Sequence, residues 1–246
     1  MILEALVDLD NLLILTEPKY HEVASETFRK IQKDAIFHDK NPPSLRYLMK
    51  IQREIDDKLS KKFHYGFLNR FPISLIETYK RICRELKIGL DEKLIKQISA
   101  EARSPFNIKV YDKEGDLMPG AEETLDFLKK KRIEMRIYTK GEESYQKQKF
   151  DYFDLARWFN RDEMIIVGKK KPKDITRNAP NLSKAIFITD SLGDVLVGIR
   201  AGIRIIHVPL PEMYHSDHDN NIAVPRSRLH YEFDSLLEFK ANYHSL

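Results

Sequence analysis

The chain has little of what would tie it to an oxidising compartment or to a membrane. Its single cysteine, Cys83, can form no intramolecular disulfide and no cysteine-based zinc site, which suits a reducing cytoplasm. No stretch reaches the roughly 20 apolar residues that a membrane-spanning helix needs. The opening Met1-Ile2-Leu3-Glu4-Ala5-Leu6-Val7-Asp8 lacks both a basic leader and a long apolar core, so a cytoplasmic protein without a membrane partner is the expectation. Charge of one sign is missing too: 42 Lys plus Arg against 38 Asp plus Glu leave a net +4, too little to demand nucleic acid. With 246 residues, the chain has room for one catalytic domain and a second one inserted or appended.

What is present falls into two textures. Ile2 to Val7 is a short apolar run that ends abruptly in acids, as in a buried parallel strand whose carboxyl end opens onto a site. From about Glu17 to Ile108 the chain shows charged stretches at helical spacing and almost no strand-like run, which predicts an all-helical insert. Within it, Leu45, Leu48, Ile51, Ile55 and Leu59 share one helix face behind Ser44 as cap. A further helix is expected over Ser74 to Lys87, ending at Gly89, with Asp91 opening the next. After Pro119-Gly120 come a helix to Arg132, an apolar run Ile133 to Tyr138, a helix from Glu142, and runs at Met164 to Val167, Ala185 to Thr189 and Ile203 to Val208. Strands alternating with helices imply a parallel α/β sheet. The first strand joins that sheet across the insert, so the expected core is residues 1–15 with 116–246, and the helical domain is 16–115.

Four segments at the ends of these runs carry chemistry. Asp8 and Asp10, two apart at a strand end, can divide the labour: one carboxylate attacks phosphorus while the other protonates the departing oxygen and later activates water. Thr139, before Lys140-Gly141, offers a hydroxyl and nearby backbone N–H groups for phosphate oxygens; a helix cap at Thr139 or Glu142 is the plainer reading. Gly168-Lys169-Lys170-Lys171-Pro172-Lys173 is a basic loop, from which a lysine turned inward would neutralise nucleophile and phosphoryl group, or which merely faces solvent. In Thr189-Asp190-Ser191-Leu192-Gly193-Asp194, hard oxygen donors suit magnesium, or cap a helix at Asp190 or Ser191 with Asp194 beside its dipole. All four fall at the carboxyl ends of apolar runs, the edge where open parallel sheets bind ligands.

In this order the segments resemble the four motifs of the haloacid dehalogenase (HAD) superfamily: an Asp-x-Asp strand end, a Thr or Ser strand end, a Lys often followed by Pro, and an acidic Asp-Ser-x-x-Asp loop. Leu117-Met118-Pro119-Gly120 with Leu125 and Leu128 is similar to the segment by which that family re-enters its core after a cap. The resemblance implies an α/β, Rossmann-like three-layer core with a parallel central sheet plus an all-helical cap. It further implies a Mg2+-dependent phosphohydrolase that acts through an aspartyl phosphate on a small phosphorylated metabolite. Carried over by residue, it makes Asp8 the nucleophile and a metal ligand, and Asp10 the general acid/base with its carbonyl on the metal. Thr139 becomes a phosphate ligand, and Lys171, directly before Pro172, stabilises nucleophile and phosphate, with Lys169, Lys170 and Lys173 as substitutes. Asp190 becomes a metal ligand, and Asp194 completes or supports that site. Asn11 and Leu12 stand where Gly and Thr are usual, and the missing hydroxyl would weaken orientation of the acid/base residue.

The rivals are a HAD-fold binding or regulatory protein with little turnover, motivated by Asn11 and Leu12, and a haloacid dehalogenase, which Asp10 and the acidic loop disfavour. His215-Ser216-Asp217-His218-Asp219 has a metal-like composition but no periodic framework, and reads as a surface loop. The expected partner is a small-molecule phosphate ester, with selectivity set by the cap and its loop near Phe37 to Asn41. Nothing requires nucleic acid, and a monomer is the default.

Overall fold

A computed structural model describes residues 2–34, 41–63, 68–210 and 222–245, so the loop near Phe37 to Lys40 and the His215 to Asp219 segment lie outside the described residues. The chain divides into two compact units, one formed by Met1–Glu17 with Tyr111–Leu246 and the other by Pro18–Val110.

The first unit is built on a parallel sheet of six described strands in the order β3-β2-β1-β4-β5-β6. They are β1 (Glu4–Val7), β2 (Glu134–Lys140), β3 (Ile165–Val167), β4 (Ala185–Thr189), β5 (Arg204–His207) and β6 (His230–Glu232). β4 coincides with its apolar run, and all five of its residues are buried. Helices between the strands, α5 (Ala121–Lys130), α6 (Glu143–Tyr152), α7 (Pro172–Asn178) and α8 (Leu192–Ala201), and α9 (Leu236–Asn242) after the last described strand complete this unit. Leu6, Tyr138, Ile175, Phe187, Val195 and Ile205 pack into one fully buried cluster, each apolar side chain contributing about 1.5–3 kcal/mol relative to exposure. This is an α/β, Rossmann-like fold.

Topology places the site. β1 pairs with β2 on one side and with β4 on the other, Val7 lying abreast of both Ile137 and Ile188. The strand order therefore reverses at β1, and the crevice beyond the carboxyl ends of such a pair is where open α/β sheets take ligands. Asp8 follows β1 directly, and its N–H is fixed on the Ile188 carbonyl at 3.0 Å.

The second unit is helical: α1 (Glu17–Lys33, opening in the first unit), α2 (Leu45–Lys62), α3 (Arg70–Leu86) and α4 (Glu92–Glu101). Phe28, Ile31, Leu48, Ile51, Leu75, Tyr79, Ile82 and Ile98 form its core, so the stripe behind Ser44 buries Leu48 and Ile51 while the Ser44 hydroxyl accepts from Tyr47 N–H. α3 begins one turn before the expected Ser74 because Pro72 falls in the first turn, where a missing N–H costs no helical bond. It ends at Lys87 in a left-handed conformation, φ 55°, rather than at Gly89. Asp91 caps α4, its carboxylate accepting from Lys93 and Leu94 N–H. No helix among the described residues is long and apolar enough to cross a membrane.

Candidate active site

Three acids converge at the reversal point. Asp8, ending β1, is buried; its Oδ1 accepts from Leu9 N–H at 2.9 Å, and its Oδ2 lies 2.6 Å from Lys170 Nζ. Asp194, in the first turn of α8, is also buried and takes Lys170 on Oδ2 at 2.7 Å and Lys140 on Oδ1 at 3.2 Å. Asp190, after β4, is partly exposed, and no described residue hydrogen-bonds its carboxylate. The Thr189 hydroxyl sits 3.3 Å from Asp8 Oδ2 and 3.4 Å from Asp194 Oδ2, with one proton to share between them.

The lysine of this site is Lys170, not Lys171. Pro172 at the first helical position makes Lys171 the N-terminal cap of α7, with extended φ −137° and ψ 151°. Neighbouring side chains of an extended segment point to opposite sides, so Lys171 is exposed and Lys170 is buried. The Lys171 backbone is clamped: its N–H donates to the Tyr138 hydroxyl at 3.2 Å and to Asp174 Oδ2 at 3.1 Å. The Lys170 ammonium lies over the rings of Tyr138 and Phe187, 5.2 and 5.1 Å from their centroids, a cation–π seat that holds charge in a desolvated place.

Asp10 is oriented by groups that the sequence reading did not single out. Its Oδ1 is paired with Lys149 Nζ, and its Oδ2 accepts from Gln146 Nε2 at 2.7 Å. Lys149 is 2% exposed, and its ammonium lies 4.6 Å from the Tyr145 ring centroid. Gln146 also donates to the Lys140 carbonyl at 2.6 Å. These contacts supply the orientation that a hydroxyl at position 12 would have given; Leu12 is fully buried instead. Asn11, where glycine was expected, has φ 60°, a region that Asn tolerates better than most residues. Its Oδ1 accepts from Thr16 N–H, Thr16 Oγ1 and Glu17 N–H at 3.2, 3.0 and 2.8 Å, which ties down the start of α1.

Thr139 is buried in β2, and its hydroxyl donates to the Lys140 carbonyl at 3.4 Å rather than to any of the acids. Glu142 caps α6, accepting from Tyr145 N–H at 2.8 Å. Asp8, Asp190 and Asp194 lie together, Lys170, one of the substitutes for Lys171, joins them, and Lys140, Gln146, Lys149 and Thr189 are residues that the sequence did not point to. Placing Pro172 first in its helix would have selected Lys170 among the lysines, and Thr189 could have been found by its position directly before Asp190.

Charge sets what the arrangement can do. Burial pushes the Asp8 carboxyl up to about 6, against the opposing pull of Lys170. Burial, then the charges of Asp8 and Asp194, raise Asp190 well above the ordinary carboxylate value. Asp194 goes the other way: burial would raise it, but Lys140 and Lys170 outweigh that and hold it low. Three acids against two ammonium groups leave one carboxyl with no ammonium bonded to it, Asp190, which holds its proton more tightly than an ordinary carboxyl. An all-oxygen donor set of this kind fits a hard divalent cation, and Asp8 and Asp190 are the carboxylates that would hold it. Asp194 takes one lysine on each oxygen and so anchors both ammonium groups, with lone pairs left over to complete or support a metal site.

Comparison with known proteins bears on the family and the fold. Residues 5–202 match the family model of haloacid dehalogenase-like hydrolases. No curated protein matches the sequence significantly. Among solved structures, a haloacid dehalogenase-like family hydrolase from Xanthomonas campestris superposes with a TM-score of 0.71 at 18% identity, over 99% of this chain and 95% of that one. A predicted phosphoglycolate phosphatase from Haemophilus somnus gives 0.57 at 15% identity, over 99% and 97%. A 2-haloacid dehalogenase from Pseudomonas syringae gives 0.55 at 18% identity, over 100% and 99%.

Proposed function

The chain belongs to the haloacid dehalogenase-like hydrolase family, and from that premise we propose that it is a phosphate monoester phosphatase acting on a small phosphorylated metabolite. Solved neighbours with phosphatase and dehalogenase in their names leave the choice to the chemistry of this site. The observation that carries the reading is the surplus of carboxylates: a second acid, Asp10, held by Gln146 and Lys149, and an unbonded Asp190 beside Asp8. Displacement of halide by one carboxylate needs neither.

Asp8 attacks phosphorus in line and becomes the aspartyl phosphate. Lys170 holds Asp8 Oδ2 and offsets charge on the transferring group. Asp194 and Tyr138 keep that lysine in place, the first by an ion pair and the second under its ring face. Thr139 and the neighbouring N–H groups bind phosphate oxygens once its hydroxyl turns from the Lys140 carbonyl. The Lys149–Asp10 ion pair passes a proton through the Asp10 carboxyl to the leaving oxygen, and Asp10 then takes one from the water that hydrolyses the acyl phosphate, which restores the pair. Magnesium bound through Asp8, Asp190 and the Asp10 carbonyl would neutralise the carboxylates and polarise the phosphoryl group.

The test is phosphate release from an aryl phosphate and a panel of metabolite phosphates, with magnesium and with chelator, beside halide release from 2-haloacids. Magnesium-dependent phosphate release that disappears in Asp8→Asn is the expected result. Halide release without metal would replace this reading with the dehalogenase one, and folded protein inert on every substrate would replace it with a binding role.

A further inference from the structure

The same carboxyl edge carries, on β5 and β6, a second cluster that the reaction does not use. In the parallel ladder His207 pairs with Glu232, and His230, two residues earlier on β6, shares the face of Glu232. His207 Nδ1 lies 3.0 Å from Glu232 Oε2, and His230 Nε2 lies 4.0 Å from the same oxygen. One ligand atom from each of the three falls within 4.8 Å of the others.

The hydrogen-bond directions are the informative part. His207 Nε2 lies 3.1 Å from the Asp190 carbonyl oxygen, which can only accept, so Nε2 carries the hydrogen and a neutral ring presents its lone pair at Nδ1. That lone pair faces a carboxylate, an arrangement that needs a proton or a cation between the two. His230 Nε2 is buried and has no hydrogen-bond partner among the described residues, a desolvated donor or acceptor that a ligand would satisfy. An N–H on a backbone carbonyl opposite a free ring nitrogen is the outer-shell pattern of metal-bound histidine.

We propose that His207 Nδ1, His230 Nε2 and Glu232 bind a zinc ion, separately from the Asp8 site. Two imidazoles and a carboxylate select a borderline cation such as Zn2+ rather than magnesium, which takes oxygen ligands. Tetrahedral bonds of about 2.0–2.1 Å set ligand atoms about 3.3 Å apart. The 3.0 Å pair is close to that already, and the exposed Glu232 can close the 4.0 Å gap. Solvent reaches the cluster from the Glu232 side, where the fourth position takes water. Zinc here would fix the His207 tautomer that donates to the Asp190 carbonyl, tying edge strand β6 to the loop that carries a catalytic-site acid.

Calorimetric titration of chelator-treated protein with Zn2+ tests this, using Asp8→Asn/Asp190→Asn as the background that removes the acid site. One Zn2+ per chain should persist in that background, and Co2+ in its place should give the intense visible absorption of a low-coordinate nitrogen and oxygen site. His230→Ala should weaken Zn2+ binding by at least about 100-fold, since even outer-shell losses cost about 10- to 100-fold, and Glu232→Gln should weaken it in the same sense. Thermal unfolding of each metal-free variant identifies any that does not fold, and the remaining one decides. Absence of Zn2+ binding, unchanged affinity in the folded variants, or loss of binding with Asp8→Asn/Asp190→Asn would each overturn the proposal.

Discussion

At the scale of single residues, two adjacent lysines have opposite fates. Lys170 bridges two buried carboxylates while Lys171 reaches solvent from the cap of α7. Lys170→Met should therefore lower turnover by about 100-fold or more, the size of a lost transition-state donor, whereas Lys171→Met should leave it within about twofold, since a solvated charge contributes little. Steady-state kinetics on one substrate settle the pair, and equal losses would show that the loop rearranges in solution. Asp10 offers a second comparison. Removing its carboxylate in Asp10→Ala strands the buried Lys149 ammonium, which should destabilise the fold by about 3 kcal/mol. Adding Lys149→Met removes the stranded charge, so the double variant should unfold at higher denaturant than Asp10→Ala alone. A purely additive double variant would mean that the ion pair carries no coupling.

At the scale of elements, the turn between β2 and α6 is what aims Asp10. Gly141 has φ 151°, and a Cβ there would come within 2.4 Å of Gln146 Nε2. Gly141→Ala should thus displace Gln146 and lower kcat with little change in KM, because the Asp10 carboxylate is left with Lys149 alone while Asp8 keeps Lys170. A rise in KM alone would place the effect elsewhere. The sequence showed the strand ends that carry Asp8, Thr139 and Asp190, because buried parallel strands are apolar runs and acids after them stand out. It could not show that Gln146 and Lys149, three apart on α6, turn inward: on a helix this polar, a lysine reads as solvated until tertiary packing buries it. β6 escaped for a related reason. His230-Tyr231-Glu232 is a three-residue polar edge strand with no apolar run to announce it.

At the scale of the whole molecule, the clustered carboxyls at the reversal point couple folding to pH and to metal. Asp8 titrates near 6 in the folded chain against 3.8 as its ordinary value, so between about pH 4 and 6 the native state holds a proton that the unfolded chain has released. Stability then falls as pH rises through that window. Asp190, raised in the same direction, adds to the slope and extends it upward, while the lowered Asp194 acts only below its ordinary 3.8, where its stabilisation is lost as pH falls. His230, lowered by burial, has the opposite slope near its ordinary 6.5; comparison with Asp8→Asn removes it, since both proteins carry it. Chelator-treated wild type should therefore lose on the order of 5 °C in Tm between pH 4.5 and 7 relative to Asp8→Asn. Millimolar magnesium should reduce that difference, because a cation bound to ionised Asp8 and Asp190 favours the deprotonated fold. A pH–Tm profile that is parallel for the two proteins, or unmoved by magnesium, would mean that Lys140 and Lys170 already balance the acids and that the site has no need of a further cation.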